Sequence, residues 1–169
     1  MGLQEYIDRT KYGDILIVLH QMGNHGPAYF KRYPKEFEKF TPVCKTNQLE
    51  ECSREEIGNA YDNAVLYTDY FLSKVISLLK QNEKSFESAM VYISDHGQSL
   101  GENNLYLHGL PYFMAPDSQK HVGAAMWFGN SFKIDKKALK EKSTETFSQD
   151  YLFHTILGLL EVDTSIYDK

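Results

Sequence analysis

Asp95 and His96 stand side by side at the end of the apolar run in VYISDHGQSLGENNLYLHG, residues 91–109, and His108 follows twelve residues after His96. A carboxylate oxygen beside an imidazole nitrogen is a partial ligand set for zinc, which takes nitrogen and oxygen donors tetrahedrally. Two ligands do not make a site, so this chemistry needs further donors from elsewhere in the chain. His25 in NHGP and His108 in LHGLP lie in glycine-containing loops rather than on apolar faces, which directs them toward a cleft. The competing reading of DHG is structural: a capped strand end whose polar residues face solvent. Neighbouring side chains on a regular strand point to opposite faces, so Asp95 and His96 converge on one ion only where the strand has ended. Gly97, next in sequence, supplies the backbone freedom for that ending.

The remaining histidines read differently. His154 falls in the apolar stripe of a C-terminal helical segment and is a packing residue; His121 opens a strand among charges and belongs to the surface. His20 ends an apolar run, and either supports the site or is satisfied within the core.

These residues need elements to carry them. DILIVLHQMG, residues 14–23, is a continuous apolar run, the pattern of a central strand covered on both faces. Residues 24–42 hold three prolines and no sustained period, which predicts a loop with one short helical turn. Ser53 and Glu56 form an S-x-x-E capping box, and apolar residues from Ile57 to Leu79 then follow the helical period for about seven turns. SAMVYISDHG (88–97) and HVGAAMWFGN (121–130) read as strands that stop at glycine, and FSQDYLFHTILGLL (147–160) as an amphipathic helix. The order predicts an α/β fold, a layered mixed or mainly parallel sheet flanked by helices. Sites in such sheets lie beyond the carboxyl ends of strands, where VLHQMGNHG and VYISDHG both deliver polar groups.

Composition narrows the function. At 169 residues, 42% hydrophobic and 24% charged, the chain is long enough for one core, hence one domain or part of one. A net charge of −5 with both signs interspersed leaves no basic stripe for a phosphate backbone, so nucleic acid is not an expected partner. The apolar runs ILIVL and AAMWF are far shorter than the roughly 20 residues of a membrane-spanning helix. The N-terminal residues lack the basic-then-apolar pattern of a secretory signal. Cys44 and Cys52 are either free thiols or a bridge. Both lie in a polar loop where neither packs into an apolar run, which favours a bridge worth about 2.5 kcal/mol by the chain-entropy account. A bridge implies an oxidising compartment.

HQMGNHGPAYFKRYP, CKTNQLEEC, YDNAVLYTDYFLSKVI, YISDHGQSLGENNLYLHGLPY and APDSQK, taken in order, resemble consecutive blocks of the periplasmic catalytic domain of bacterial phosphoethanolamine transferases. That family includes enzymes that modify lipid A and confer polymyxin resistance, and it has the alkaline phosphatase and sulfatase fold. The resemblance implies that residues 1–169 are the C-terminal portion of one such domain, without its N-terminal half or transmembrane region. It also implies that Asp95 and His96 are zinc ligands, while His25 and His108 face the phosphoryl group and can hold a second zinc. Cys44 and Cys52 match a family disulfide. Gln98 stands where the family often has glutamate, which puts any acid-base or substrate-amine role there in doubt.

In the implied mechanism a threonine takes phosphoethanolamine from phosphatidylethanolamine and passes it to an acceptor such as lipid A, on the periplasmic face of the inner membrane. The family's threonine and a glutamate ligand lie upstream of the matched region. Thr41 and Thr46 fall in the cysteine loop and Thr68 on the long helix, none of them after a strand at a helix N-terminus. No turnover is therefore expected from this chain alone. A related sulfatase or phosphatase, which passes its group to water, is the alternative enzyme; a truncated, non-catalytic product that self-associates through an exposed sheet edge is the alternative of another class.

Overall fold

The structure is a computed structural model and describes residues 2–166. The chain divides into two compact units, Leu19–Phe132 and the paired ends Met1–Val18 with Lys133–Lys169. No helix among the described residues is long and apolar enough to cross a membrane.

The spine of the first unit is α2, Arg54–Asn82. Its start follows from the capping box: the Glu56 backbone N–H donates to Ser53 Oγ, and the Ser53 N–H donates to Glu56 Oε2 at 2.8 Å. The Ser53 backbone N–H and then the Ser53 hydroxyl, both donating to Glu56 Oε2, hold the Glu56 carboxyl below its ordinary range. Ile57, Ala60, Asn63, Ala64 and Thr68 recur at helical spacing and are the buried face. The first turns pack on a core of Tyr29, Cys44, Leu49, Ile57 and Ala60, with Tyr61, Leu100, Tyr106 and Leu107 half-buried around it. The loop before α2 contains short 3-10 turns at Tyr29–Lys31, Lys35–Phe37 and Leu49–Glu51. It is fastened to the helix by side-chain amides four residues apart, Asn59 donating to Pro42 O and Asn63 reaching Lys39 and Phe40.

Cys44 and Cys52 are bridged, with Cα atoms 5.8 Å apart, and Cys44 is buried in the core cluster. Replacing both by serine is expected to lower stability by about 2.5 kcal/mol through the freed loop alone. A urea midpoint that does not move on reduction or substitution would show that the bridge carries no stability.

β1, Ala89–Ile93, pairs antiparallel with β4, Ala124–Phe128, in the register Ala89↔Phe128 to Ile93↔Ala124. β2, Ser99–Leu100, and β3, Tyr106–Leu107, form a short hairpin, also antiparallel. Between the hairpin and β4 lies one helical turn, α3, Asp117–Lys120. The second unit contains α1 (Leu3–Arg9), which buries Ile7, together with α4 (Lys136–Lys142) and α5 (Tyr151–Leu159). Asp135 caps α4 by accepting from the Lys137 and Ala138 N–H groups. His154 is half-buried, with its ring 5.4 Å from that of the exposed Phe153.

The long helix, the two strands around 88–97 and 121–130 and the last helix all lie where the sequence places them. The run at 14–23 does not form a strand. Leu16 is 57% and Val18 79% exposed, and the run has no ladder partner among the described residues. Apolar patterning reports what a segment buries once covered, whereas a strand exists only where a neighbour takes up its backbone groups. His20 is exposed in consequence, so it is not a core histidine.

Candidate active site

Three loops of the Leu19–Phe132 unit bring His25, His96 and His108 together, and one ring nitrogen from each lies within 4.8 Å of the others. The rings of His96 and His108 stack with centroids 3.7 Å apart, and His25 meets them edge-on at 5.6 and 5.0 Å. Two of these histidines were expected to face a phosphoryl group and one to bind metal; the geometry makes them one cluster.

Each histidine is delivered by a different device. His25 precedes the 3-10 turn at Tyr29–Lys31, and its backbone is clamped by Arg32, whose Nε donates to His25 O at 2.7 Å. Its neighbour Asn24 accepts from the Thr68 hydroxyl at 2.8 Å, which ties the loop to α2. On the other side Gly26 sits so close to the Tyr29 ring that a Cβ there would lie 2.7 Å from it. His96 follows β1 by three residues, its carbonyl accepting from Ser94 Oγ at 2.8 Å and the next N–H, that of Gly97, donating to Gln119 O.

His108 is set by hairpin register. Ser99 pairs with Leu107 and Leu100 with Tyr106, so the next positions to face each other are Gln98 and His108. The side chains do meet, His108 Nδ1 lying 3.4 Å from Gln98 Oε1. Gly101, Asn103 and Asn104 take the left-handed backbone the tight turn requires. Gly97, by contrast, has no left-handed backbone. Its role is close approach rather than backbone freedom, since a Cβ would lie 2.0 Å from Ser118 O.

The ring tautomers follow from these contacts. His25 Nδ1 lies 2.7 Å from Gly26 O and His96 Nδ1 2.9 Å from Gly97 O. A carbonyl only accepts, so Nδ1 carries the proton and, in the neutral ring, Nε2 keeps its lone pair. Gln98 Oε1 does the same for His108, and it also accepts from the Tyr29 hydroxyl at 3.4 Å. Tyr29 is almost completely buried, and burial followed by charge at Tyr61 and Glu102 keeps its phenol well above the usual range, hence a neutral donor. Three imidazoles with Nδ1 held on oxygen and Nε2 available are the donor set that zinc takes, and the residues present fit that metal. Asp95 stands at the edge: its side chain is 80% exposed, with Oδ2 3.9 Å from His96 Nε2 and Oδ1 accepting from the His96 N–H.

Burial, then the neighbouring His96 and His25, push the His108 pKa below the ordinary imidazole value, with Asp95 opposing. A depressed histidine favours the folded state above its unfolded pKa, and that contribution is lost as pH falls through the folded value. Gln98→Glu places a carboxylate against His108 Nδ1, which favours the imidazolium and is expected to move the His108 pKa up. An NMR titration of the His108 ring protons checks this, and an unchanged or lower value would mean that the two side chains do not face each other.

Tyr29, Arg32, Asn24 and Thr68 were not singled out as site residues. They act on the histidines through backbone or through Gln98, across up to 69 residues of sequence, and no local spacing marks them.

The sulfatase family pattern matches residues 2–162, and the chain belongs to that family. Within it, the similarity is to phosphoethanolamine transferases over nearly the whole chain. The chain is 52% identical to phosphoethanolamine transferase EptA of Salmonella typhimurium, covering 98% of this chain and 31% of that protein. It is 47% identical to phosphatidylethanolamine transferase Mcr-2 of Escherichia coli, over 96% of this chain and 29% of that protein. The solved structure of the integral membrane protein lipooligosaccharide phosphoethanolamine transferase A from Neisseria meningitidis superposes with a TM-score of 0.93 at 43% identity, covering 98% of this chain and 32% of that one. This chain thus spans about a third of the length of the curated relatives it matches. The resemblance drawn from the motifs and the α/β sulfatase-like fold both hold, whereas the expected mixed or mainly parallel sheet is not seen among the described residues, whose two small sheets are both antiparallel.

Proposed function

We propose that this chain supplies the C-terminal part of the catalytic domain of a zinc-dependent phosphoethanolamine transferase, which moves phosphoethanolamine from phosphatidylethanolamine to lipid A or a kindred envelope acceptor. The observation that carries this reading is the convergence of His25, His96 and His108 from three loops, on the scaffold of such transferases. The names of the relatives supply donor and acceptor: phosphatidylethanolamine for the Escherichia coli protein, lipooligosaccharide for the Neisseria protein. The parent protein is read as an inner-membrane protein with this portion on the periplasmic side; an integral-membrane relative from Neisseria meningitidis and a Campylobacter jejuni relative solved as a C-terminal periplasmic domain support that reading, and the Cys44–Cys52 bridge suits an oxidising compartment.

Asp95 and His96 are assigned as zinc ligands, and His25 and His108 as the groups that face the phosphoryl oxygens. Bound zinc would polarise a phosphoryl oxygen and lower the pKa of an oxygen nucleophile. The remaining work belongs to the chain's own residues. Each Nε2 serves one partner at a time, as a lone pair to metal or, in the imidazolium, as an N–H to a phosphoryl oxygen. Each of His25 and His108 can therefore serve metal or substrate but not both at once, and Gln98 keeps His108 oriented for either. The nucleophile is assigned to the parent's remaining sequence, as the resemblance to the family implies. The outer edges of β1 and β4 have no ladder partner among the described residues and are where isolated chains would associate.

Calorimetric zinc titration of the metal-free chain in oxidising buffer tests the metal assignment. Tight binding of one zinc is expected, weakened at least about 100-fold by His96→Ala and about 10-fold or more by Asp95→Ala, on the scale of lost ligands and their supporting groups. Absence of binding, or binding indifferent to His96→Ala, would overturn the zinc assignment.

A further inference from the structure

Tyr29 is 1% exposed and sits in the core cluster, its ring 5.5 Å from that of Tyr61. A phenylalanine would fill the same space, and burying a hydroxyl costs stability unless the hydroxyl is hydrogen-bonded. The phenolic oxygen is what needs an account. Gly26 shuts it in on one side, since a Cβ there would lie 2.7 Å from it. Its hydrogen-bond partner is Gln98 Oε1 at 3.4 Å, and the same oxygen lies 3.4 Å from His108 Nδ1. His108 itself is exposed, so burial does not fix its ring.

A side-chain amide can be turned over without changing its shape, and the two orientations offer opposite chemistry. With Oε1 forward, Gln98 accepts from both neighbours. With Nε2 forward it would donate to both, His108 Nδ1 would have to be a lone pair, and the ring proton would move to Nε2. The phenol breaks the tie. Its single proton is buried, and no other acceptor among the described residues takes it. Turning the amide over would strand that proton, whereas Oε1 satisfies it. His25 and His96 need no such help, because a backbone carbonyl, which cannot be turned over, faces each Nδ1.

We infer that Tyr29 is a positioning residue of the histidine cluster: its buried hydroxyl proton fixes the Gln98 amide, and the amide fixes His108 as the Nδ1–H tautomer with Nε2 free for a ligand. The weight of this inference rests on reading the three histidines as one ligand-binding cluster; its geometry does not require zinc.

The test is nitrogen NMR of the histidine rings in the full, metal-free chain at about pH 8, where a free imidazole is neutral. The His108 signals are identified by their loss in His108→Ala. Wild-type His108 is expected to be the Nδ1–H tautomer. Tyr29→Phe keeps the ring and its packing, and is expected to bring in the Nε2–H tautomer as an equal or major form, while His25 and His96 stay as they were. Gln98→Met, which removes the acceptor without touching the core, is expected to do the same. Adding Gln98→Glu to Tyr29→Phe is expected to restore Nδ1–H, because a carboxylate accepts in either orientation; a mere loss of packing would not be reversed in this way. The inference is overturned if wild-type His108 carries its proton on Nε2, if Tyr29→Phe or Gln98→Met leaves the tautomer unchanged, or if Gln98→Glu fails to restore it. Failure of zinc to bind would overturn the metal assignment and leave these tautomers as expected, so the two readings fail separately.

Discussion

Gly97→Ala is expected to destabilise the Leu19–Phe132 unit by about 4 kcal/mol or more, at the upper end of what single substitutions do. The added Cβ would lie 2.0 Å from Ser118 O and 2.9 Å from the Ser118 carbonyl carbon, and these are backbone atoms that no rotamer change can move. Relief requires α3 to part from the loop after β1, which breaks the bond from the Gly97 N–H to Gln119 O at 3.0 Å. It also disturbs the buried pair in which Gln119 Nε2 donates to Ser99 Oγ at 2.9 Å, at the first rung of the hairpin. The effect therefore reaches both His96, one residue before Gly97, and His108, which follows Leu107, the partner of Ser99 on that rung. Urea unfolding of the variant beside the wild type measures the loss, and the zinc titration reads the displacement of the cluster. A midpoint shift equivalent to less than about 0.5 kcal/mol, the range of neutral surface changes, would mean that Gly97 and Ser118 are not in contact.

Asn63→Ala is expected to cost about 3 kcal/mol. Asn63 is fully buried, and its amide uses its full capacity: Oδ1 accepts from the Lys39 and Phe40 N–H groups at 2.7 and 2.9 Å, and Nδ2 donates to Phe40 O at 2.9 Å and to the Tyr33 hydroxyl at 3.5 Å. Truncation removes the partner of the Phe40 N–H and of the Phe40 carbonyl at a half-buried place, while the Lys39 N–H keeps its bond to Phe37 O at 3.0 Å; the cost is about 1–3 kcal/mol for each group that water cannot reach. Asn63→Leu separates hydrogen bonding from volume, because leucine fills the space and offers no polar atom. It is expected to be as damaging as alanine. If leucine restores wild-type stability in thermal or urea unfolding, the site is held by packing and the amide is incidental.

The asparagine also shows what sequence alone can and cannot convey. Its helix was legible from a capping box and seven turns of apolar spacing, because both signals lie within the segment itself. Its partners at Lys39 and Phe40 were not, since nothing in FEKFTP marks which side chain 23 or 24 residues away will take those N–H groups. The same division runs through the site. Asp95, His96, His25 and His108 could be named from residue types beside glycine, Gln98 only from the family resemblance, and the bridge from two cysteines in a polar loop. That the three histidines form a single cluster with Asp95 at its edge depends on a hairpin register and on backbone clamps that no local pattern encodes. Residues 14–23 mark the opposite failure: a strong apolar pattern that forms no strand, with no ladder partner beside it among the described residues.

The register of that hairpin sets a rule for how the sequence can drift. Side chains alternate along β3, so adding or removing one residue between Ser99 and Leu107 would turn His108 to the opposite face or slide it off Gln98. Substitutions at the turn, from Glu102 to Leu105, act locally, with Asn103 and Asn104 restricted to residues that tolerate a left-handed backbone, whereas a change in length dismantles the cluster. Evolution can therefore rewrite the letters of this turn while its length stays frozen, and a survey of natural variants would find insertions crowded into other loops and missing from this one.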